Sequence, residues 1–252
     1  MELSEAHLKR IEDSLPVERG NVSMEVLNFL NAVLYVAENG CKWRRLPERF
    51  GNWHTIYTRM NRWSKNGVWD RVFARLQQEG ILQFELKVVS LDSTSVKVHP
   101  DGTGAGEKNG PQGIGKSRGG RNTKIHLVAA DDVHAVGFRL SPGQSGDGPE
   151  GRELIGELGC PADGCALVMD MAYEGDETCG LATLLGFKPV APPNPSRLKP
   201  WKLNKSLYRQ RNHVERLFRR LKGFRRIFTR YDRLDVLFRC FVTSALIWLV
   251  LL

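Results

Sequence analysis

The chain has 252 residues, of which 41% are hydrophobic, and a net charge of +9. That length and hydrophobic fraction exclude a wholly disordered chain and allow a core of ordinary size plus a smaller second domain. The positive charge is concentrated between Arg197 and Arg239, where 15 Lys and Arg accompany three acids and give a local net charge of +12. The net charge of the remaining residues is therefore about −3. This polarity favours a phosphate-bearing partner such as nucleic acid, and a solvated basic helix is the alternative.

The cysteines and the apolar runs indicate the compartment. Five cysteines, an odd number without paired CxxC spacing near histidines, predict reduced thiols in a cytoplasmic protein, not a zinc site or a disulfide framework. Met1–Arg19 lacks the apolar stretch of a signal peptide, and the apolar run Cys240–Leu252 is too short to span a bilayer. We therefore expect a buried C-terminal helix and no membrane partner.

Residues 1–83 have the pattern of a helical domain. Apolar residues recur at three- and four-residue steps over Val26–Ala37, before a break at Asn39-Gly40. Over Trp43–Gln78, aromatic residues are interleaved with Lys and Arg, which predicts short helices with aromatic packing and a basic outer face. We predict a helix-turn-helix-like DNA-binding domain over 1–83. In the plainer interpretation most tryptophans are simply core residues, which is compatible with DNA binding.

Residues 84–252 have the pattern of a mixed α/β (α+β) sheet flanked by helices. The predicted elements are a strand at Lys87–Asp92, a mobile Gly-rich basic loop at 97–122, a hairpin of Lys124–Ala130 and Ala135–Leu140, a helix at Glu150–Leu158, strands at Ala166–Asp170 and Gly186–Ala191, and a helix at Leu203–Phe224. Strands in hairpin order, then alternating with helices, indicate one domain over 84–252.

Two acids end apolar strands in this prediction, Asp92 and Asp170. A carboxylate beside buried backbone is costly unless it is paired or binds a metal, although a single strand-end aspartate is more often a turn or cap residue. Because ligands gather at strand ends in α/β sheets, we expect the two acids to converge.

Glu215 is a lone acid in the basic helix. At 100° per residue it shares an arc of about 60° with Tyr208, Arg211 and Lys222, so it is either a counter-ion or a metal ligand held close to a polyanion. If Glu215 joins the two aspartates, their repulsion calls for divalent cations, and oxygen-only ligation selects Mg²⁺ or Mn²⁺. Two such ions can activate a water or a 3′ hydroxyl for displacement at phosphorus.

In sequence order, these motifs resemble those of bacterial DDE transposases of the insertion sequence 5 family. The matching segments are Leu91-Asp92-Ser93-Thr94, Gly119-Gly120-Arg121-Asn122-Thr123-Lys124-Ile125-His126, Asp170-Met171-Ala172-Tyr173 and Tyr208-x2-Arg211-x3-Glu215-x6-Lys222, with Trp43-Arg44-Arg45-Leu46-Pro47, Phe50-Gly51-Asn52-Trp53 and Gly67-Val68-Trp69 in the N-terminal region. The resemblance covers nearly the whole chain.

The resemblance implies an RNase H-like catalytic domain in which Asp92, Asp170 and Glu215 are the catalytic residues and hold two Mg²⁺ ions. Such an enzyme cleaves at transposon ends and joins the 3′ hydroxyls to target DNA. Its partners would be double-stranded terminal inverted repeats and target DNA, and it would act as a homodimer or higher oligomer in the synaptic complex. We expect it in the bacterial cytoplasm, at the nucleoid when it acts.

The same resemblance implies that Tyr208, Arg211 and Lys222 contact DNA near the scissile phosphate, and Lys124, Arg121 and Arg219 are further candidates for DNA contacts. Met171 departs from the Lys or Arg expected after the second acid, so the resemblance does not carry over an auxiliary DNA contact at this position, while it leaves Asp170 as a metal ligand.

Three polar residues near the motifs carry weaker expectations. Thr94 either supports Asp92 or lies on the strand surface. His126 shares a strand face with Asn122 and Lys124, which allows a role at the site. A lone His on a strand is more often structural, however, so His126 and His213 stay outside the catalytic set.

Two other functions use the same features. A non-catalytic DNA-binding protein descended from such an enzyme would need only the basic surface, and a metal-dependent nuclease without strand joining would use the same acids. Intact acids at all three positions count against the non-catalytic protein, whereas the nuclease would differ from the transposase only in its products.

Overall fold

The computed structural model describes residues 1–17, 24–83, 86–160 and 164–252. The helices are α1 Glu5–Ile11, α2 Val26–Asn39, α3 Trp53–Lys65, α4 Val68–Gln83, α5 Asp147–Leu158, α6 Asp176–Leu184, α7 Lys205–Tyr208, α8 Asn212–Gly223, α9 Arg225–Phe228 and α10 Asp235–Leu251. The strands are β1 Val88–Val98, β2 Gly115–Ser117, β3 Gly120–Ala129, β4 Ala135–Pro142, β5 Ala166–Met169, β6 Lys188–Val190 and β7 Thr229–Arg230.

The chain divides into two compact units, each built from separate stretches of sequence. Unit 1 comprises Met1–Glu79, Val98–Gln112 and Arg220–Leu252, and unit 2 comprises Gly80–Lys97 and Gly113–Arg219. The boundary predicted between residues 83 and 84 remains a prediction, because Phe84 lies outside the described residues.

Unit 1 is mainly helical and has an aromatic core. Helix α2 follows its predicted span and ends at Gly40, whose φ of 63° is the left-handed conformation that glycine adopts without steric cost. The ring of Trp69 lies 5.8 Å from that of Trp63 and 6.4 Å from that of Trp248, and all three side chains are buried. The interpretation of most tryptophans as core residues therefore holds for these three.

Arg59 is an exception to the predicted basic outer face of this region. The residue is 5% exposed, and its guanidinium lies 4.6 Å from the Phe29 ring centroid and 5.0 Å from that of Trp63. Burial, with the nearby charge of Arg62, lowers the pKa of Arg59 to about 10. The prediction of an exposed basic face is wrong at this position because the methylene stem and the flat guanidinium pack against aromatic rings.

The apolar C-terminal run forms helix α10, which is buried along most of its length as the sequence predicts. Among the described residues, no helix has both the length and the apolar character needed to cross a membrane.

Strands β1 to β6 of unit 2 form a mixed sheet, as predicted. The order is β2-β3-β1-β5-β6, with β4 also paired to β3. Strand β1 is antiparallel to β3 and parallel to β5, and β5 is parallel to β6. Apolar residues of β1, β5 and α5, among them Leu91, Leu154 and Leu167, form the core beside this sheet.

Three predicted boundaries are wrong. Strand β1 continues past Asp92 to Val98, because Ser93 to Lys97 pair with β3 from His126 to Asn122. The predicted loop at 97–122 contains two 3-10 turns, β2 and the start of β3. The predicted helix over 203–224 is α7 and α8 with a 3-10 turn at Arg209–Arg211 between them, so the α-helical spacing is interrupted before α8. Arg211 and Glu215 still lie on one side as an i,i+4 pair.

Candidate functional site

Asp92 lies in the middle of β1, on the face opposite the α5 core. Side chains alternate along a strand, so Ser90 and Asp92 share one face while Leu91 and Ser93 share the other. The Ser90 hydroxyl donates to the carbonyl of Gln210 at 3.0 Å, which places the 209–211 turn on the Asp92 face. The sheet therefore directs Asp92 toward the segment that carries Arg211 and Glu215.

The Asp92 carboxylate is largely buried and hydrogen-bonded at both oxygens. Arg211 Nη2 donates to Oδ2 at 2.7 Å, and the Ser93 backbone N–H donates to Oδ1 at 2.8 Å. Burial raises the pKa of Asp92, Arg211 and the Ser93 amide oppose that rise, and the charges of Asp170 and Glu215 add to it. Asp170 and Glu215 therefore both act electrostatically on Asp92.

Asp170 follows β5 directly, as predicted for a strand-end acid. Strands β1 and β5 are parallel, and Leu91 pairs with Met169. The next residue on each chain segment is an acid, Asp92 after Leu91 and Asp170 after Met169. Asp170 Oδ1 accepts from the backbone N–H of Ala172 and so caps the 3-10 turn Met171–Tyr173. The parallel register therefore places Asp170, directly after the end of β5, beside Asp92 on β1.

Glu215 lies in the first turn of α8, and Arg211 connects it to Asp92. Arg211 Nη1 donates to Glu215 Oε1 at 2.6 Å, and the Glu215 side chain is 45% exposed. Burial alone would lower the pKa of Arg211, but attraction to Asp92, Glu215 and Asp170 outweighs it and raises the pKa. Arg211 is therefore the cation of the acid cluster.

The donor set fits a hard divalent cation in its chemistry. It consists of the carboxylate oxygens of Asp92, Asp170 and Glu215, which are the kind of ligand that Mg²⁺ and Mn²⁺ prefer. Within the described part of the chain, no group of three or more His, Cys, Asp or Glu is arranged to hold a metal ion. Arg211 holds Asp92 and Glu215 in this arrangement, so a metal would have to take over its contacts.

The predicted DNA-contact residues differ in how accessible they are. Arg121 and Arg219 are exposed, and Tyr208 and Lys222 are half-buried. Burial lowers the pKa of Lys222. Lys124 is directed inward, since its Nζ donates to the Ser145 carbonyl at 2.8 Å and to Asp147 Oδ1 at 3.0 Å.

His126 is a core residue, in agreement with its structural interpretation. It is fully buried, with Nε2 2.8 Å from Ser141 Oγ and Nδ1 3.4 Å from the Tyr173 hydroxyl. Burial lowers its pKa, which favours the neutral ring. His213 lies 2.7 Å from Gln210 Oε1, at the start of α8.

Sequence reasoning missed three residues beside the acids: Ser93, Asp147 and Tyr173. Ser93 follows Asp92 and Tyr173 lies three residues after Asp170, so both stand inside the quoted motifs. Asp147 has no such proximity, because it precedes the predicted helix and contacts Ser93 across 54 residues of sequence. The acidic residue in the first turn of a helix was the one available indication.

Two family models match the chain. The model described as "Transposase DDE domain" matches residues 83–250, and the model described as "Putative transposase of IS4/5 family" matches residues 3–73. The chain belongs to the DDE transposase family. This DDE transposase chain accordingly combines a mixed sheet of RNase H-like fold with an N-terminal helical region.

Two curated relatives are similar to parts of the chain, and one of them is named as a transposase. A protein of Sinorhizobium fredii, named "Uncharacterized protein y4sN", is 38% identical over 82 residues, which are 32% of this chain and 62% of the relative. The "Putative transposase for insertion sequence element IS6501" of Brucella ovis is 31% identical over 134 residues, which are 50% of this chain and 98% of the relative. The DDE transposase chain thus spans less than two thirds of the first relative.

Solved structures similar to the DDE transposase chain include two transposases. One is the piggyBac transposase synaptic complex with hairpin DNA, with 12% identity and a TM-score of 0.42 over 76% of this chain and 47% of that chain. Another is the Mos1 mariner paired end complex with Mn, with 11% identity and a TM-score of 0.32 over 96% of this chain and 83% of that chain.

Proposed function

We propose that the protein is the transposase of an insertion sequence, which cleaves DNA at the ends of its element and joins the 3′ hydroxyls to target DNA. The observation that carries the proposal is the connection of Asp92 to Glu215 through Arg211, with Asp170 on the neighbouring parallel strand. A chain whose family model is a transposase DDE domain thus has two acids, Asp170 and Glu215, close enough to Asp92 to act on its charge.

In this proposal Asp92, Asp170 and Glu215 hold two Mg²⁺ or Mn²⁺ ions. The ions would supply an activated water or 3′ hydroxyl and stabilise the leaving oxygen at phosphorus. Asp92 and Asp170 are fixed by strands and by backbone N–H donors, whereas Glu215 is the more exposed and more adjustable ligand.

The basic residues around the acids position the DNA backbone. Arg211, once released from the carboxylates, would present a guanidinium to a phosphate beside the acids, with Tyr208 one turn before it. Arg219 and Arg121 are exposed and would add phosphate contacts, and Lys222 follows Arg219 on α8. Lys124 is paired with Asp147, so we assign it a smaller share of the DNA contacts.

The partners in this proposal are double-stranded terminal inverted repeats and target DNA, bound by a homodimer or higher oligomer. The reaction would take place in the bacterial cytoplasm, at the nucleoid. All five cysteines are free, as a reduced protein requires.

The test is a cleavage and strand-transfer assay on DNA that ends in the element's own terminal repeats, with Mg²⁺ or Mn²⁺. We expect Glu215→Gln to bind this DNA and to form no cleaved or joined product, because the amide removes a charged ligand. Glu153→Gln is the matched control, since Glu153 is an exposed acid on α5, and it should keep wild-type product levels.

Each other outcome identifies a different function. Unchanged product from Glu215→Gln would overturn the assigned mechanism. Tight binding of terminal repeats by the wild type without metal-dependent cleavage would favour the non-catalytic DNA-binding protein. Cleavage without joined product would favour the nuclease.

A further inference from the structure

We propose that the N-terminal half of α5 positions Asp92 and Asp170 from the opposite face of the sheet. Asp147 would act on Asp92 through Ser93, and Gly151 would act on Asp170 through Tyr173. We name these four residues, Asp147, Gly151, Ser93 and Tyr173, the α5 brace. They are positioning residues, and the inference rests on the proposed function, in which the two aspartates hold a divalent cation.

The first arm of the α5 brace connects Asp147 to the residue after Asp92. The Ser93 hydroxyl donates to Asp147 Oδ1 at 2.8 Å, while the Ser93 backbone N–H donates to Asp92 Oδ1 at 2.8 Å. One residue of β1 thus bonds to a carboxylate on each side of the sheet. The rotation of the Ser93 peptide, and with it the Asp92 carboxylate, is restrained from the α5 side.

Lys124 fixes the first arm in place. Its ammonium lies 3.0 Å from Asp147 Oδ1 and also donates to the Ser145 carbonyl, just before α5. The Lys124 and Asp147 side chains are 16% and 25% exposed, so the pair is only partly screened by water. Asp147 therefore has its charge compensated locally and needs no metal or DNA for its own stability.

The second arm is a close contact between Gly151 and the Tyr173 ring. A Cβ built on Gly151 would lie 2.5 Å from Tyr173 Cε1 and 2.6 Å from Cδ1, closer than real Cβ atoms approach other atoms. Tyr173 is 1% exposed and cannot rotate freely away, because its ring is packed in the core and its hydroxyl is 3.4 Å from His126 Nδ1. The absence of a side chain at 151 is what lets the ring lie there.

Tyr173 is joined to Asp170 by a single 3-10 turn. The Asp170 carboxylate accepts from the Ala172 backbone N–H, and the Asp170 carbonyl accepts from the Tyr173 backbone N–H at 3.2 Å. A displacement of the Tyr173 ring would therefore also displace the 3-10 turn that Asp170 caps. The two arms restrain both strand acids from one helix.

Helix α5 also contains a matched control position. Gly156 lies on the exposed side of the same helix, and a Cβ added there would have no atom of the described residues beyond its own helix within 4 Å. Alanine is favoured over glycine in a helix interior, so Gly156→Ala should be neutral or stabilising. Gly151→Ala makes the same chemical change on the same helix, but toward Tyr173.

The experiment measures Mn²⁺ binding to the full chain by electron paramagnetic resonance. We expect Gly151→Ala and Asp147→Ala to weaken Mn²⁺ binding about tenfold or more, as loss of a residue that orients a metal ligand typically does. Gly156→Ala should bind Mn²⁺ like the wild type. Asp131→Asn, which removes a hydrogen-bonded carboxylate from the β3–β4 turn, should also leave Mn²⁺ affinity unchanged.

A second measurement reads the positioning without metal. In ¹⁵N NMR spectra, the Ser93 and Ala172 amides report the hydrogen bonds to Asp92 and Asp170. We expect Asp147→Ala to shift the Ser93 amide and Gly151→Ala to shift the Ala172 amide, with both unmoved in Gly156→Ala. These shifts in the amide signals should appear in variants that are folded, which cooperative thermal unfolding of each variant establishes.

The outcomes separate this inference from the proposed function. If the wild type binds no Mn²⁺ but the amides shift as expected, the metal site fails and the positioning role stands. If folded Gly151→Ala matches Gly156→Ala in both measurements, the second arm is overturned. If Asp147→Ala keeps both the wild-type Mn²⁺ affinity and the wild-type chemical shift of the Ser93 amide, the first arm is overturned. If Gly151→Ala does not fold, the Mn²⁺ affinity of Tyr173→Leu, which removes the ring without a clash, decides the second arm: weakened affinity supports it and wild-type affinity overturns it. The Ser93 amide of Asp147→Ala still decides the first arm.

Discussion

Two arginines of the basic C-terminal stretch, Arg226 and Arg211, differ in how many carboxylates they bind. In unit 1, Arg226 donates through Nε and Nη2 to both oxygens of Asp232, at 3.2 and 2.9 Å, and both residues are 6% exposed. In unit 2, Arg211 divides its two terminal nitrogens between Asp92 and Glu215, and its buried Nε has no hydrogen-bond partner among the residues that the structure describes. Arg226 thus directs two nitrogens to the two oxygens of one acid, which we call a saturated pair, whereas Arg211 is shared between two acids.

The difference separates a structural ion pair from a functional one. A bidentate, desolvated pair is strong and specific, and the Arg226 guanidinium also lies 5.3 Å from the Tyr231 and Phe241 ring centroids. An arginine with an unsatisfied buried nitrogen between two acids costs stability. In the proposed function the acids exchange Arg211 for a metal ion, and a shared, incompletely bonded arginine suits that exchange, whereas the Arg226 pair suits a structural role.

Breaking the saturated pair should give the largest effect on stability. Asp232→Ala leaves a buried arginine without its acid, and we expect the free energy of unfolding to fall by about 3–5 kcal/mol. Urea unfolding at neutral pH measures the loss. The double variant Arg226→Met/Asp232→Ala is the control and should recover much of it, since no buried charge remains unpaired; equal losses in both variants would contradict this account.

The sequence predicted those parts of the fold and site that depend on local patterns. Helix α2 follows its apolar period to the Asn39-Gly40 break, and Asp170 follows an apolar strand, as expected. The end of β1 was not predictable in the same way. Ser93, Thr94 and Ser95 have no apolar signal, and they stay in the strand because β3 pairs with them from about 30 residues away.

The rest of the site depends on contacts distant in sequence. The bond from Arg211 to Asp92 spans 119 residues and that from Ser93 to Asp147 spans 54, so no local pattern indicates either. The 3-10 turn at 209–211 interrupts the helical spacing on which the single-face prediction relied. Sequence therefore identified the acids, while their orientation required the tertiary structure.

Removing the shared arginine should have a smaller and metal-dependent effect. Arg211→Gln loses charged hydrogen bonds to Asp92 and Glu215, and we expect about 1.5–3 kcal/mol of lost stability in metal-free buffer. Added Mn²⁺ should stabilise this variant more than the wild type, because no guanidinium competes for the carboxylates. Thermal unfolding across a Mn²⁺ series measures the difference.

The Asp232→Ala variant is the control for that series. It should gain the same stabilisation from Mn²⁺ as the wild type, since its defect does not involve the acid cluster. If Arg211→Gln also gains no more than the wild type, Arg211 does not compete with the metal.

Asp131 is a third carboxylate, and its partners are two backbone N–H groups and His134 rather than an arginine. It tests whether a full set of hydrogen bonds is enough to give an acid a structural role without an arginine. Asp131 accepts from the backbone N–H groups of Val133 and His134, each at 2.7 Å, and lies 2.8 Å from His134 Nδ1. Burial alone would raise its pKa, but these bonds outweigh burial and lower the pKa from the ordinary 3.8 to about 2.

The smallest expected effect is therefore a pH-dependent one at Asp131. A lowered pKa means that the ionised form stabilises the folded chain, so the contribution is complete above about pH 4 and disappears as the pH falls toward 2. Because the side chain is 34% exposed, we expect about 1–2 kcal/mol rather than the full value of the shift. The measurement is urea unfolding of the wild type and Asp131→Asn between pH 2 and 6. The difference between the two should be largest above pH 4 and close to zero at pH 2, and a difference independent of pH would mean that the hydrogen bonds do not depend on the Asp131 charge.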